Sequence, residues 1–224
     1  MKVLLRTTKL ALVLATFPLI DLNATTVPEI VAKAEPAIVQ IVAVDANLNP
    51  CKTGTGFFIS SDGVLLTSNH LIAGATDLFA RTRTGAIYLF RGVVFRSVDL
   101  DLAFLKFAGM SVPYLKLGSS AHAVEGQRVV VIGRPEGSEP TVTDGIISAF
   151  RNNRSSIQIS AVMSSGSTGS PVLDESGQVI GIATSVNQDG DSLNRAITAD
   201  ALKRAFLEES EQPANNGLQK LVQP

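Results

Sequence analysis

The sequence contains very few of the residues that build disulfides or metal centres. There is one cysteine, Cys51, and there are two histidines, His70 and His122, among 224 residues. One cysteine cannot form an intrachain disulfide, so packing must stabilise the fold, and we interpret Cys51 as a tolerated residue at the end of a strand. One thiol and two imidazoles give no ligand cluster for zinc, and we expect neither a metal nor another cofactor.

The sequence also lacks an excess of charge of either sign. Lys and Arg together number 19 and Asp and Glu number 20, and the resulting net charge of −1 argues against a broad nucleic-acid-binding surface. No block of like charges is long enough to form a binding tail. Hydrophobic residues make up 45% of the chain, which is enough for one sizeable domain or for two small barrels that share an interface.

The first 24 residues follow the pattern of a signal peptide. An apolar run over 10–20 has eleven residues, which is too short for a membrane-spanning helix, and Ala24 offers a small residue for cleavage. Leu22 is larger than the residue expected three positions before the cut, which leaves a retained anchor as the alternative. We predict that the mature chain begins near Thr25, is exported to the periplasm or secreted, and keeps no stable membrane span. The basic residues that precede the run are Lys2, Arg6 and Lys9.

Short apolar runs separated by turn residues dominate the rest of the chain. They have almost no helical periodicity between them, which predicts an all-β barrel or sandwich. A stretch rich in Gly, Pro and Ser over 108–127 separates two sets of runs. An apolar stripe predicts a helix over 200–209, and the polar segment over 211–224 is predicted to be a flexible tail. The predicted strands are 37–44, 53–60, 64–68, 77–83, 87–96, 102–107, 128–132, 141–150, 156–162, 172–173, 179–185 and 194–198.

One loop has the composition of a nucleophile loop. Residues 164–172 read Ser-Ser-Gly-Ser-Thr-Gly-Ser-Pro-Val. Small hydroxyl residues between glycines let the backbone bend sharply and let its N–H groups face a bound group, as acyl-transfer enzymes require. An inactive site and an ordinary turn are the alternatives.

A hydroxyl nucleophile needs a base, and the base needs an orienting acid. His122 lies in the turn-rich stretch and is interpreted as a solvated loop residue. His70 follows an apolar strand and is the candidate base, with a histidine that only bonds the backbone as the alternative. Asp101 precedes an apolar strand, but Asp99 lies on the same side of the chain, so spacing does not choose between the two acids.

Several segments follow one another in an order that is typical of one family. They are 27–39, 54–59 with 65–72, 99–106, and 133–137 with 141–148. From about Val27 to Phe206 the chain resembles the trypsin-like serine proteases of the HtrA/Deg type, and these segments resemble, in turn, the family's opening helix and strand, its histidine motif, its aspartate motif and the start of its second barrel. In the family's aspartate motif the acid directly before Leu-Ala is catalytic, and this resemblance selects Asp101.

The resemblance implies two six-stranded antiparallel β-barrels of the chymotrypsin/trypsin type, followed by a short C-terminal helix. It implies a protease domain over 25–210, with barrel 1 over about 36–118, barrel 2 over about 126–198 and the helix over about 200–209. Only a short segment follows Phe206, so we expect the protease domain without the PDZ-type domain that is usual in the family.

The resemblance also assigns roles to individual residues. His70 corresponds to the general base, Asp101 to the acid that orients it, and Thr168 to the nucleophile. The N–H groups of Gly166 and Thr168 correspond to the oxyanion hole. The substrate-binding residues that it implies are Ser164, Ser165, Asn194, Arg195 and Ala196.

Thr168 departs from the family, whose loop reads Gly-Asn-Ser-Gly-Gly-Pro. The additional methyl group stiffens χ1 and must point at the imidazole, the oxyanion hole or the substrate. One hypothesis is a slow or conditionally active endopeptidase for unfolded or extended polypeptide, which the presence of His70 and Asp101 favours. The second is an inactive pseudoprotease that binds peptides or acts as a scaffold, which the threonine favours. A third is an engineered or isolated change in an active enzyme. The family often forms trimers, but the sequence does not decide whether this chain forms a homo-oligomer.

Overall fold

The computed structural model describes residues 25–135, 139–188 and 191–210. The predicted signal peptide over 1–24 and the predicted tail over 211–224 lie outside the described residues. Within the described ranges, none of the helices has the length and apolar character needed to cross a membrane.

The first set of apolar runs forms a closed antiparallel barrel. Its strands are β1 (Ile38–Val44), β2 (Pro50–Phe58), β3 (Val64–Thr67), β4 (Asp77–Arg81), β5 (Ile87–Ser97) and β6 (Leu102–Phe107). Along the barrel they follow the order β1-β2-β3-β6-β5-β4. All residues of β1 are buried, because this strand pairs with β2 on one side and with β4 on the other.

The second set forms another closed antiparallel barrel. Its strands are β7 (Arg128–Gly133), β8 (Thr141–Arg151), β9 (Ser156–Ile159), β10 (Pro171–Leu173), β11 (Val179–Gln188) and β12 (Asp191–Thr198). Along the barrel they follow the order β10-β11-β12-β9-β8-β7. Two six-stranded barrels confirm the predicted all-β fold, whereas the proposed bounds of the domains stay a prediction. The predicted strand over 156–162 ends earlier in the structure, at Ile159, where the Ile146 N–H of β8 donates to the Ser160 hydroxyl at 2.9 Å.

Short helices flank the barrels. The first, α1 (Val27–Ala34), begins at a capping box in which the Thr26 N–H donates to the Glu29 carboxylate at 2.8 Å. This bond holds the pKa of Glu29 below its ordinary value. The helix α2 (Asn69–Ile72) follows β3, and the predicted C-terminal helix is observed as α3 (Ala199–Ser210).

A shared core connects the two barrels. Phe206 of α3 is fully buried, and its ring centroid lies 5.7 Å from that of Phe95 and 5.0 Å from that of Phe104. Both partners belong to the first barrel, although α3 follows the second barrel in the chain. The same cluster contains Ile132 of β7 and Ile182 of β11, so residues from both barrels pack together. Apolar burial therefore fixes the cleft between the barrels.

Candidate active site

The pairing of two strands brings the candidate base and acid together. Strand β3 pairs antiparallel with β6, and Thr67 lies opposite Ala103. The residues that follow β3 therefore meet the residues that precede β6. This places His70, in α2, beside Asp101, in the turn before β6.

Asp101 contacts His70 through both carboxylate oxygens. Oδ2 lies 2.7 Å from the imidazole Nδ1, and Oδ1 accepts the His70 backbone N–H at 2.8 Å. Asp101 has φ +52°, a left-handed conformation that aspartate tolerates better than most residues, and its carbonyl accepts the Asn69 N–H at 3.1 Å. With the Nδ1 proton directed at a carboxylate, Nε2 keeps its lone pair and can act as a base.

The structure distinguishes His70 and Asp101 from the other candidate residues, His122 and Asp99. The His70 side chain is 51% exposed and that of Asp101 is 27% exposed, so the pair lies at the surface of a cleft. Asp99 lies exposed in the turn that leads to Asp101, and His122 lies exposed in a different turn. The geometry therefore selects Asp101 as the partner of His70.

The candidate nucleophile loop is a tight turn. Residues Ser165–Ser167 form a 3₁₀ turn, in which the Ser167 N–H donates to the Ser164 carbonyl at 2.9 Å. Thr168 follows in an extended conformation and is only 3% exposed. Gly169 has φ +86°, and its N–H donates to the Ala183 carbonyl of β11 at 2.9 Å. A local bond and a bond to the adjacent strand β11 thus hold parts of the loop backbone in place.

A cleft of about 510 Å³ opens where the barrels meet. The first barrel contributes one wall, through β2 and α2, and the second contributes the other, through the end of β7 and the nucleophile loop. The candidate base and one residue of the candidate oxyanion hole therefore share one cavity. The residues that line it are Cys51, Lys52, Thr53, His70, Leu71, Pro135, Ser164 and Gly166.

Lys52 is a residue of this cleft that the sequence analysis missed. Its ammonium group donates to the His70 carbonyl at 2.9 Å and to the Ala73 carbonyl at 2.7 Å. A cation at the C-terminal end of a helix stabilises the exposed carbonyl groups there. Lys52 therefore anchors α2, and with it the backbone of His70, to β2.

The other predicted binding residues lie around the nucleophile loop. Ser164 lines the cleft, whereas the side chain of Ser165 lies outside the described part of the structure. Ala196 of β12 is fully buried and pairs with Ala183, the residue whose carbonyl bonds Gly169. The neighbours of Ala196 in β12, Asn194 and Arg195, are half-buried.

Among residues 25–135, 139–188 and 191–210, no three His, Cys, Asp or Glu side chains converge in a way that could hold a metal ion.

Comparisons with known proteins agree with this geometry. The trypsin-like peptidase domain family matches residues 54–182. A putative serine protease, HhoB, from Synechocystis is 34% identical over 155 residues, which cover 65% of this chain and 37% of that protein. A probable periplasmic serine endoprotease, DegP-like, from Chlamydia pneumoniae is 35% identical over 140 residues, which cover 59% of this chain and 28% of that protein. The match thus spans less than half the length of either relative.

A solved structure shares both the fold and part of the sequence. The HtrA-type protease AlgW with a bound tripeptide superposes with a TM-score of 0.71 at 29% sequence identity. The superposition covers 83% of this chain and 64% of that one.

Proposed function

The chain belongs to the trypsin-like peptidase domain family, and from this premise we propose that it is an exported serine-type endopeptidase domain of the HtrA/Deg kind. Its proposed substrates are unfolded or extended polypeptides, and its proposed location is the periplasm or the extracellular space. Thr168 takes the place of the nucleophilic serine, which makes hydrolysis slow. The similarity to a DegP-like periplasmic serine endoprotease supports this proposal.

One observation carries the proposal, namely the contact of 2.7 Å between His70 Nδ1 and Asp101 Oδ2. An acid on Nδ1 fixes the tautomer and orientation of the imidazole and stabilises the imidazolium that forms during catalysis. His70 also lines the cleft that Gly166 lines from the other barrel. A module that only bound peptides would have no chemical need for this pair.

The proposed reaction has two stages. The Thr168 hydroxyl attacks the peptide carbonyl while its proton passes to His70 Nε2, and the N–H groups of Gly166 and Thr168 receive the negative charge on oxygen. The tetrahedral adduct expels the amine, which takes the proton from His70, and leaves an ester on Thr168. Water then gives a proton to His70 while its oxygen attacks the ester carbonyl. His70 returns the proton to the Thr168 oxygen as the carboxylic acid leaves, which restores the threonine.

The threonine methyl group explains why this reaction is expected to be slow. Thr168 is almost fully buried, so its branched side chain has little room to change rotamer. A displacement of the attacking oxygen by about 1 Å can cost on the order of 10²-fold in rate. The proposed substrate-binding residues Ser164, Ser165 and 194–196 stand at other positions of the chain than Thr168, so peptide binding is expected to persist.

A pseudoprotease is the second candidate, and the observation that favours it is Thr168 itself. Known threonine nucleophiles generally use an N-terminal amine as the base, whereas Thr168 is internal. In this case the cleft would hold an extended peptide without cleaving it.

The purified full chain and its Thr168→Ser variant distinguish the two functions. We expect the serine to raise the turnover of unfolded casein by at least about tenfold, the effect of one recovered transition-state contact. We expect His70→Ala, added to Thr168→Ser, to abolish turnover. An inert Thr168→Ser variant with an unchanged circular dichroism spectrum would favour the binding module.

A fluorophosphonate probe tests the identity of the nucleophile separately. The probe should label the Thr168→Ser variant strongly at position 168 and the parent chain weakly or not at all. Peptide mapping identifies the labelled residue. Labelling at Ser165, Ser167 or Ser170 would show that the assigned nucleophile is wrong.

A further inference from the structure

Thr55, in β2, bonds three other segments while lying fully buried. Its N–H donates to the Thr168 carbonyl at 3.2 Å, and its carbonyl accepts the Thr67 hydroxyl at 2.7 Å. Its own hydroxyl donates to the Gly166 carbonyl at 2.8 Å and accepts the Arg134 N–H at 2.7 Å. One residue of the first barrel thus holds the nucleophile loop and the end of β7, both of which belong to the second.

The strand register explains why Thr55 is available for this role. The pairing between β2 and β3 begins at Gly56, which lies opposite Thr67, the last residue of β3. The edge of β2 at Thr55 therefore has no strand partner on that side. Buried backbone groups must be bonded, and here the nucleophile loop takes the place of a strand.

The Thr55 hydroxyl fixes the peptide group between Gly166 and Ser167. The carbonyl oxygen of this peptide accepts the Thr55 hydroxyl at 2.8 Å. Its N–H, which belongs to Ser167, donates to the Ser164 carbonyl at 2.9 Å. Since both ends are bonded, the peptide plane cannot rotate without leaving a buried polar group unpaired.

The Thr55 N–H fixes the peptide group between Thr168 and Gly169 in the same way. The Thr168 carbonyl accepts the Thr55 N–H, and the N–H on the other side of this peptide, that of Gly169, donates to the Ala183 carbonyl at 2.9 Å. The fixed peptide groups are thus Gly166–Ser167 and Thr168–Gly169. Along the chain they alternate with the two peptide groups that carry the N–H groups of Gly166 and Thr168. Fixing the first pair therefore restricts the orientation of the second pair.

We propose that Thr55 is a positioning residue for the nucleophile loop: its hydroxyl sets the orientation of the Gly166–Ser167 peptide and so aligns the proposed oxyanion hole. Only a hydroxyl can donate to the Gly166 carbonyl and accept the Arg134 N–H from one atom at this position. The role of the loop in catalysis rests on the function proposed above, whereas the effect on the peptide orientation does not.

The test compares two side chains of nearly the same shape in the full chain that carries Thr168→Ser. Thr55→Val removes the hydroxyl, and Thr55→Ser keeps it. Thr198→Val is the matched control, because Thr198 is also fully buried and its hydroxyl donates to the Arg154 carbonyl at 2.9 Å and accepts the Ala201 N–H at 3.4 Å. The Thr198 hydroxyl serves α3 and the turn before β9 instead of the nucleophile loop.

We expect Thr55→Val to lower kcat by between about tenfold and a hundredfold and to leave KM within about threefold, since the loop would lose transition-state alignment more than substrate contacts. Thr55→Ser should keep kcat within about threefold of its parent, and Thr198→Val within about twofold. The rates are compared per folded molecule. Equal kcat values for Thr55→Val and Thr198→Val would overturn the proposal.

Amide hydrogen exchange provides a readout that does not need turnover. Thr55→Val should speed exchange of the Ser167 N–H by at least about tenfold, and Thr198→Val should not change it. Unchanged exchange at Ser167 would overturn the positioning role even in an active protease. Faster exchange in an inert Thr168→Ser chain would support the positioning role and refute the proposed hydrolysis. Where Thr55→Val does not fold, Thr55→Ala beside Thr198→Ala replaces the pair and is judged by the same outcomes.

Discussion

Gly169→Ala tests whether the contact between the nucleophile loop and β2 is as close as described. A Cβ atom at Gly169 would lie 2.2 Å from the Thr55 carbonyl oxygen and 2.8 Å from the Thr67 hydroxyl. The nearer of these atoms belongs to the backbone of β2 and cannot move aside by a rotamer change. The loop or the strand must therefore shift by about 1 Å to restore an ordinary contact.

Three contributions set the size of the effect. Alanine at φ +86° costs about 1–2 kcal/mol relative to glycine. Separating the loop from Thr55 weakens the hydrogen bonds that Thr55 donates to the Gly166 and Thr168 carbonyls, and each of these bonds is worth about 0.5–1.5 kcal/mol. Strain in the surrounding core adds about 1–3 kcal/mol. We expect the free energy of unfolding to fall by about 4 kcal/mol or more.

Gly126→Ala separates backbone strain from the steric clash. Gly126 has the same φ of +86°, and a Cβ there meets no atom within 4 Å. This variant should lose only about 1–2 kcal/mol, the cost of the left-handed conformation. The difference between the variants then measures the contact with Thr55.

Urea unfolding followed by far-ultraviolet circular dichroism is the appropriate assay. The chain has no tryptophan and only two tyrosines, so intrinsic fluorescence would give a weak signal. With a denaturant slope of about 2 kcal/mol per molar, Gly169→Ala should lower the midpoint by about 2 M. If the free energies of Gly169→Ala and Gly126→Ala differ by less than about 0.5 kcal/mol, the described packing of the loop against β2 is wrong.

Two further substitutions test the electrostatic contacts. Asp101→Asn in the Thr168→Ser chain should lower kcat on unfolded casein by at least about a hundredfold, because the amide cannot hold the imidazole as the carboxylate does; a loss below about tenfold would contradict the orienting role. The Lys106 ammonium, at 2.6 Å, and the Ser60 hydroxyl hold the pKa of Asp62 below its ordinary value of 3.8. The ionised carboxylate therefore stabilises the fold fully at pH values above 3.8, and this stabilisation is lost as the pH falls through the lowered pKa. The Asp62 side chain is 56% exposed, so Asp62→Asn should cost only about 0.5 kcal/mol near neutral pH. Thermal unfolding should show the two proteins converging near about pH 2, and a difference that persisted there would exclude this cause.

Local patterns were sufficient to predict the elements of the fold. Alternation and β-branched residues located the strands, and the apolar stripe located α3 to within one residue at each end, since the observed helix is Ala199–Ser210. Strand β2 begins at Pro50, three residues before its predicted start, because Pro50 and Lys52 pair with Val44 and Ala43 of β1. Proline is tolerated there as the first residue of the strand. The closure of the strands into two barrels came from the resemblance, since short-range patterns do not distinguish a barrel from a sandwich.

The site depended on contacts that the sequence does not display. Spacing left Asp99 and Asp101 equivalent, and the resemblance selected Asp101. In the structure the turn before β6, with Asp101 at φ +52°, brings this residue against His70. Thr55 bonds Gly166 across 111 residues, and Lys52 bonds the His70 carbonyl across 18. Nothing in the local composition marks Thr55 or Lys52. The role of Thr55 arises only when the two barrels pack together, and that of Lys52 arises only when α2 folds against β2.

The packing of Phe206 has a consequence for the timing of assembly during synthesis. The cleft takes His70 from one barrel and Gly166 from the other, and α3 follows all the strands of both barrels in the chain. Phe206 buries its ring against Phe95 and Phe104, whose strands are synthesised about a hundred residues earlier. Since a nascent chain emerges from its N-terminus, the cleft reaches its final geometry only after α3 has emerged. A chain that stops before α3 should therefore present both halves of the site without a stable alignment between them.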